Sequence, residues 1–266
     1  MSGSHRETLT PGFHDVADAR VSDLPGFSSV IIAEKDCTAN VHEEDLIAWF
    51  SEPRMERYLV SGNPVDLYLW DTRLAKAYLE DIAHVEVLLR NFIADRLEVA
   101  CEKAYGDKFW YDKEEHFNLS QKFVEVRDEV KERLVASGKS VTPSSMTAGF
   151  SLGTWLFMLS KSHEPTVWRA LRARENGGMP NYPARDRRAF QEHVETIWRL
   201  RNRCAHHEHL AGTSRSDEAR FLDTYSEAIY WVADRIDPRA SDWIKRNSRV
   251  SDVRAMRPSS GAAGKW

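Results

Sequence analysis

Residues 64–104 read PVDLYLWDTRLAKAYLEDIAHVEVLLRNFIADRLEVACEKA. Leu67, Trp70, Leu74, Tyr78, Ile82, Val85, Leu89 and Phe92 follow one another at steps of three and four, and the same rhythm reaches Arg96 and Ala100. A period near 3.6 puts these positions on one stripe of a single long α-helix, which Gly106 then ends.

The flanks repeat the pattern. VHEEDLIAWF (41–50) predicts a short first helix with acids in its first turn, where the helix dipole favours them. Phe123, Val126, Val130 and Leu134 share a face of a helix over about 119–137, closed by Gly138. Thr142-Pro143-Ser144-Ser145 reads as a turn. TAGFSLGTWLFMLSK (147–161) predicts a more apolar helix in which Gly149 and Gly153 let another backbone come close. RENGGMPNYP (174–183) is a loop. A helix from about Pro183 to Ala205 carries Phe190, Val194, Ile197, Arg201 and Cys204 on one face. Another, over Ser216–Ile236, is offered by Phe221, Tyr225, Ile229 and Val232; Asp237-Pro238 ends it, and a shorter helix covers 239–246. Residues 1–25 are polar and broken by Pro11, Gly12, Pro25 and Gly26. The organisation predicted is a flexible arm over 1–27, an all-α antiparallel bundle over 28–247 and a disordered tail over 248–266. Ile31-Ile32 reads as a short strand or extended segment.

Of the 266 residues 42% are hydrophobic and nine are Trp, ample for a core. Trp49, Trp70, Trp110, Trp155, Trp168, Trp198 and Trp231 read as core in preference to a base-stacking platform. No run of 18 apolar residues exists, so no spanning helix and no membrane partner are expected. MSGSHRETLTPGFHD lacks the apolar stretch of a secretory signal. Cys37, Cys101 and Cys204 form no CxxC pair, which argues against a zinc knuckle or disulfide framework and for a reducing cytoplasm. The net charge of −4 argues against indiscriminate nucleic-acid binding. Its distribution is uneven: 17 Lys/Arg against 27 Asp/Glu in residues 1–160, and 20 against 14 in 161–266, so the basic half can face a polyanion.

The densest polar cluster is Trp198-Arg199-Leu200-Arg201-Asn202-Arg203-Cys204-Ala205-His206-His207-Glu208-His209-Leu210. Arg201 falls on the apolar stripe of its helix, so its guanidinium must be paired or lie beside a pocket. His206 follows five positions later, about 140° round a regular helix. The two side chains converge only if the helix ends near Ala205, or if each meets a symmetry mate. Structural alternatives stand beside this. Arg201 could pair with Glu195, and His206 could serve as a C-terminal cap. His206-His207-Glu208-His209 could bind a metal, although its spacing matches neither His-x-x-x-His nor HExxH. Glu86 and Arg90 form an i,i+4 pair, read either as a surface salt bridge or as a brace for Arg201.

Arg, a polar residue, three further positions and then His resembles the motif of HEPN-family ribonucleases, and Arg201-Asn202-x-x-Ala205-His206-His207 resembles its Abi-like (abortive infection) branch. Two more segments are similar to that family: Leu79–Asn91, with its Glu86 and Arg90-Asn91, and Phe150-Ser151-Leu152-Gly153-Thr154-Trp155. The resemblance implies a HEPN-like helical bundle with additional helices and a metal-independent endoribonuclease without cofactors. It implies RNA as substrate, a homodimer whose motifs face each other, and a place in phage defence or a toxin–antitoxin pair, with an antitoxin protein or RNA as a further partner. Carried over, Arg201 holds the scissile phosphate, Asn202 orients it and His206 acts on the proton, with His207, Glu86 and Arg90 in support. The alternative is a catalytically silent HEPN module that binds RNA or a protein.

Overall fold

The computed structural model describes residues 41–212 and 214–259, and among them every regular element is helical. The arm expected over 1–27 and the segment at Ile31-Ile32 lie outside the described residues. In chain order the helices are α1 (Glu43–Phe50), α2 (Glu52–Leu59), α3 (Pro64–Tyr105), α4 (Glu114–Phe117), α5 (Gln121–Ala136), α6 (Pro143–Gly149), α7 (Leu152–Met158), α8 (Arg169–Arg172), α9 (Arg187–Ala205), α10 (Arg215–Ile236), α11 (Pro238–Asn247) and α12 (Val250–Ala255).

The long helix is α3, and its ends follow from local chemistry. Asn63 accepts the Asp66 N–H at 3.2 Å, and Pro64 takes the first helical position, where a missing N–H costs nothing. Gly106 sits at φ +75°, and its N–H bonds Glu102 O at 2.8 Å, the usual left-handed stop. Forty-two residues at about 1.5 Å each make a rod of roughly 63 Å. Every stripe position from Leu67 to Phe92 is buried. At Arg96 the stripe continues through the side chain's flat face, which lies 4.4 Å over the Phe92 ring. Ile93, Leu97 and Cys101 are buried as well. The far half of α3 is therefore enclosed on more than one face, and α2, α6, α8, α9, α10 and α12 all pack on the helix. No helix of the described residues is long and apolar enough to cross a membrane.

Three expectations change. The single helix over 147–161 is two, α6 and α7, because Phe150 is extended and Ser151 caps α7 by accepting the Thr154 N–H. The turn at 142–145 is the start of α6: Thr142 Oγ1 accepts the Ser145 N–H at 3.2 Å and Ser145 Oγ accepts the Thr142 N–H at 2.8 Å, a capping box. The described part of the tail expected from Ser248, residues 248–259, contains α12 and is anchored to the bundle. Trp70 Nε1 donates to Val253 O at 2.7 Å, Ser248 Oγ donates to Asp81 Oδ2 at 2.7 Å, and Arg257 pairs with the buried Glu218 at 2.6 Å. Small polar residues hid these anchors, because among the described residues from Ser248 on only Val250 is a buried apolar side chain. Trp70, Trp110, Trp155 and Trp168 are core, whereas Trp49 is 60% exposed.

Candidate functional site

The polar cluster lies at the end of α9. The helix stops at Ala205, the first of the two ways the sequence offered for Arg201 and His206 to converge. The His206 N–H still reaches Asn202 O at 2.8 Å, but His207 takes a left-handed φ of +57° and the chain turns away. The buried positions of α9 are Phe190, Val194, Ile197, Leu200 and Cys204. The stripe steps from Ile197 to Leu200, not to Arg201, so Arg201 is exposed and not buried as expected. Its guanidinium bonds Asn202 Oδ1 at 3.4 Å. The alternative partner Glu195 pairs instead with Arg199. His206 and His207 are exposed, and among the described residues neither side chain makes a hydrogen bond, nor does any bond join Arg201 to His206. The turn thus presents Arg201 and His206 to solvent beside a half-buried Asn202, as an open surface and not as a closed pocket.

Glu86 and Arg90 do not join this site. They make no ion pair with each other among the described residues. Arg90 lines a hollow of about 690 Å³ together with Asn91, Ser144, Thr147 and Ile236. Among the described residues no hydrogen bond or ion pair joins Glu86 or Arg90 to Arg201, whose guanidinium bonds Asn202.

A buried network that the sequence did not reveal holds the loop 206–211. Asp71, 4% exposed, accepts the Leu210 and Ala211 N–H groups on Oδ1 at 2.9 and 2.7 Å and the Tyr58 hydroxyl on Oδ2 at 2.6 Å. His209 Nδ1 lies 2.7 Å from the same Tyr58 oxygen, with the two rings edge to face. Around this, Arg203 donates to His209 O at 2.6 Å and stacks on Phe221, and Arg57 donates to Ala211 O at 3.2 Å. Glu218, paired with Arg257, accepts the Gly212 N–H at 2.8 Å. A Cβ on Gly212 would lie 2.9 Å from Glu218 Cβ, so only glycine fits this close passage. The only advance sign was a charge, Asp71, lying next to the apolar stripe of α3. Its partners are 13 and about 140 residues away in sequence.

Burial sets the protonation of the network. It pushes the Asp71 carboxyl up, against the three donors that favour the anion, and it holds His209 below the usual imidazole range. The Cys204 thiol is pushed up to about 12 by burial, which leaves it a protonated packing residue and not a nucleophile.

Residues 57–211, more than half of the chain, match the family model described as Abi-like protein. The chain belongs to the Abi-like family. No curated protein and no solved structure matches it. The Abi-like region opens at Arg57 and closes at Ala211, the two residues joined by the guanidinium–carbonyl bond above. It contains Tyr58, Asp71, Arg201, Asn202, His206 and His209, so the exposed motif and the Asp71–Tyr58–His209 centre of the network fall inside one family unit, while Phe221, Glu218 and Arg257, with α1 and α10 to α12, lie outside it.

Proposed function

We propose that this Abi-like protein is a metal-independent endoribonuclease of the HEPN type, acting as an effector in phage defence or in a toxin–antitoxin pair. The observation that carries the reading is the solvent-facing Arg201 beside Asn202 and His206 within the Abi-like region. An exposed guanidinium whose one hydrogen bond among the described residues is a long one to a neutral amide can take a phosphate on two oxygens. RNA supplies its own nucleophile, the 2′-OH. Cleavage then needs a base on that hydroxyl, an acid on the departing 5′-oxygen and positive charge beside the phosphorane. Histidine fills the proton-transfer role near neutral pH, and Arg201 fills the electrostatic one. The products are a 2′,3′-cyclic phosphate and a 5′-hydroxyl.

Purified protein incubated with RNA in excess EDTA is expected to cleave at an unchanged rate, to leave DNA and 2′-O-methylated sites intact, and to lose at least ~10²-fold activity in His206→Ala. Cleavage of DNA, or full activity in His206→Ala, overturns the mechanism. The silent binding-module reading draws on the acidic net charge and on the absence of a bond between Arg201 and His206 among the described residues. RNA binding without cleavage by the wild type would establish it.

A further inference from the structure

Transesterification needs two proton transfers, and a histidine that works as a base must present one nitrogen while the other is held. His206 and His207 are exposed and unheld. His209 is held. With Asp71 as the carboxylate that the Leu210 and Ala211 amides favour, the one hydroxyl proton of Tyr58 lies in the 2.6 Å contact with Asp71 Oδ2. The Tyr58 oxygen can then only accept from His209 at 2.7 Å, which fixes the proton of the neutral ring on Nδ1. Nε2 is left with its lone pair. It makes no hydrogen bond among the described residues, yet it is not among the polar atoms sealed from solvent without a partner. His209 thus carries the arrangement of a general base, with Tyr58 and Asp71 behind it as orienting groups.

We propose that His209 is a second catalytic histidine of this chain, the general base that works with His206 as general acid. The proposal rests on the ribonuclease reading above. His209 Nε2 takes the proton of the 2′-OH as the 2′-oxygen bonds to phosphorus. The bond from phosphorus to the 5′-oxygen breaks, and that oxygen takes a proton from the His206 imidazolium. One proton enters the site and one leaves, and exchange with water restores both rings. The histidines are three residues apart, so their Cα atoms lie within about 10 Å, a span that one phosphodiester can bridge.

Two substitutions separate catalysis from mere support of the loop. In His209→Asn the amide N–H replaces Nδ1–H toward Tyr58, so the loop stays held while the titratable nitrogen is gone. In Asp71→Asn the carbonyl oxygen still accepts from Leu210 and Ala211, but the new N–H₂ faces Tyr58. The tyrosine then donates to His209 Nδ1, the ring proton moves to Nε2, and the base is lost with every bond of the network kept. Both variants are expected to keep the wild-type melting temperature and RNA affinity and to lose ~10²-fold or more in kcat.

The wild-type pH profile provides a further check. Burial lowers the affinity of His209 for a proton; of the groups facing it, Asp71 raises that affinity, and Arg57, Arg54 and Arg203 lower it further. The acid limb of kcat/KM is therefore expected below the ordinary histidine value of about 6.5. Should either variant fail to fold, the other variant and this limb decide. A wild type that cleaves RNA while His209→Asn or Asp71→Asn, properly folded, stays within threefold of it overturns the assignment and leaves the ribonuclease reading standing. An acid limb above 6.5 also overturns it. A wild type that cleaves no RNA removes both.

Discussion

Asp71 shows what one buried carboxylate does at the residue scale. It joins α2, α3 and the loop after α9 through three accepted hydrogen bonds, and it is 4% exposed. Asp71→Ala would leave the Leu210 and Ala211 amides and the Tyr58 hydroxyl buried without an acceptor. Each such orphan costs about 1–3 kcal/mol, and partial relaxation makes the sum less than additive, so a loss of about 3–5 kcal/mol is expected. Urea unfolding with an unchanged m-value measures it. A loss below about 1 kcal/mol would mean that the loop is held elsewhere, by Arg203 or by Glu218. Arg201 teaches the opposite lesson. The sequence placed it on the apolar stripe because a step of four from Ile197 is as regular as a step of three. Leu200 is the better apolar residue, and it takes the buried position. The exposure that results makes Arg201 available to a phosphate.

Among the elements, legibility follows length and repetition. In α3 the three-four rhythm persists for about nine turns, and both its span and its Gly106 stop agree with the sequence to within a residue or two. The helices α2 and α12 went unread because eight and six residues bury too few apolar side chains to show a period: Met55 and Tyr58 in one, Val250 in the other. The break between α6 and α7 was hidden for a different reason, since Ser151 is a cap inside a continuous apolar run. The flanking glycines were legible in kind but not in partner, for what comes close is side chain and not backbone. A Cβ on Gly149 would collide with Val130 Cγ1 of α5, and one on Gly153 would lie 3.2 Å from Trp198 Nε1. Gly149→Ala is therefore expected to destabilise the protein by about 1–3 kcal/mol through overpacking, despite alanine's better helix propensity. Combining it with Val130→Ala should recover part of that loss in a thermal or urea melt, because the clash is with one side chain. Strict additivity of the two substitutions would argue that α5 and α6 do not pack here as described.

For the whole molecule the open question is how a surface turn becomes a site. Arg201 and His206 stand in solvent at the end of α9, with nothing among the described residues to enclose a substrate over them. Phosphorane stabilisation by a guanidinium is strong only where water is excluded. We propose that a two-fold axis beside the turn completes the site, setting a second copy of the same surface opposite the first so that each chain supplies half of a cleft. Two chains would bring two Arg201 side chains to one phosphodiester, while the acid and base of each active centre could still come from one loop. Light scattering at micromolar concentration is expected to give a mass near 61 kDa, twice the 30.6 kDa chain. The contact can be located with Ala205→Cys, since Ala205 is exposed while Cys101 and Cys204 are buried. Combined with Cys37→Ser, this variant should form a disulfide-linked dimer on mild oxidation, and bound RNA should slow the linkage by occupying the cleft. A 31 kDa species under these conditions contradicts the two-fold cleft. So does a dimer whose residue-205 positions are joined neither by oxidation nor by a longer bis-maleimide cross-linker, because a disulfide alone requires Cα atoms within about 7 Å.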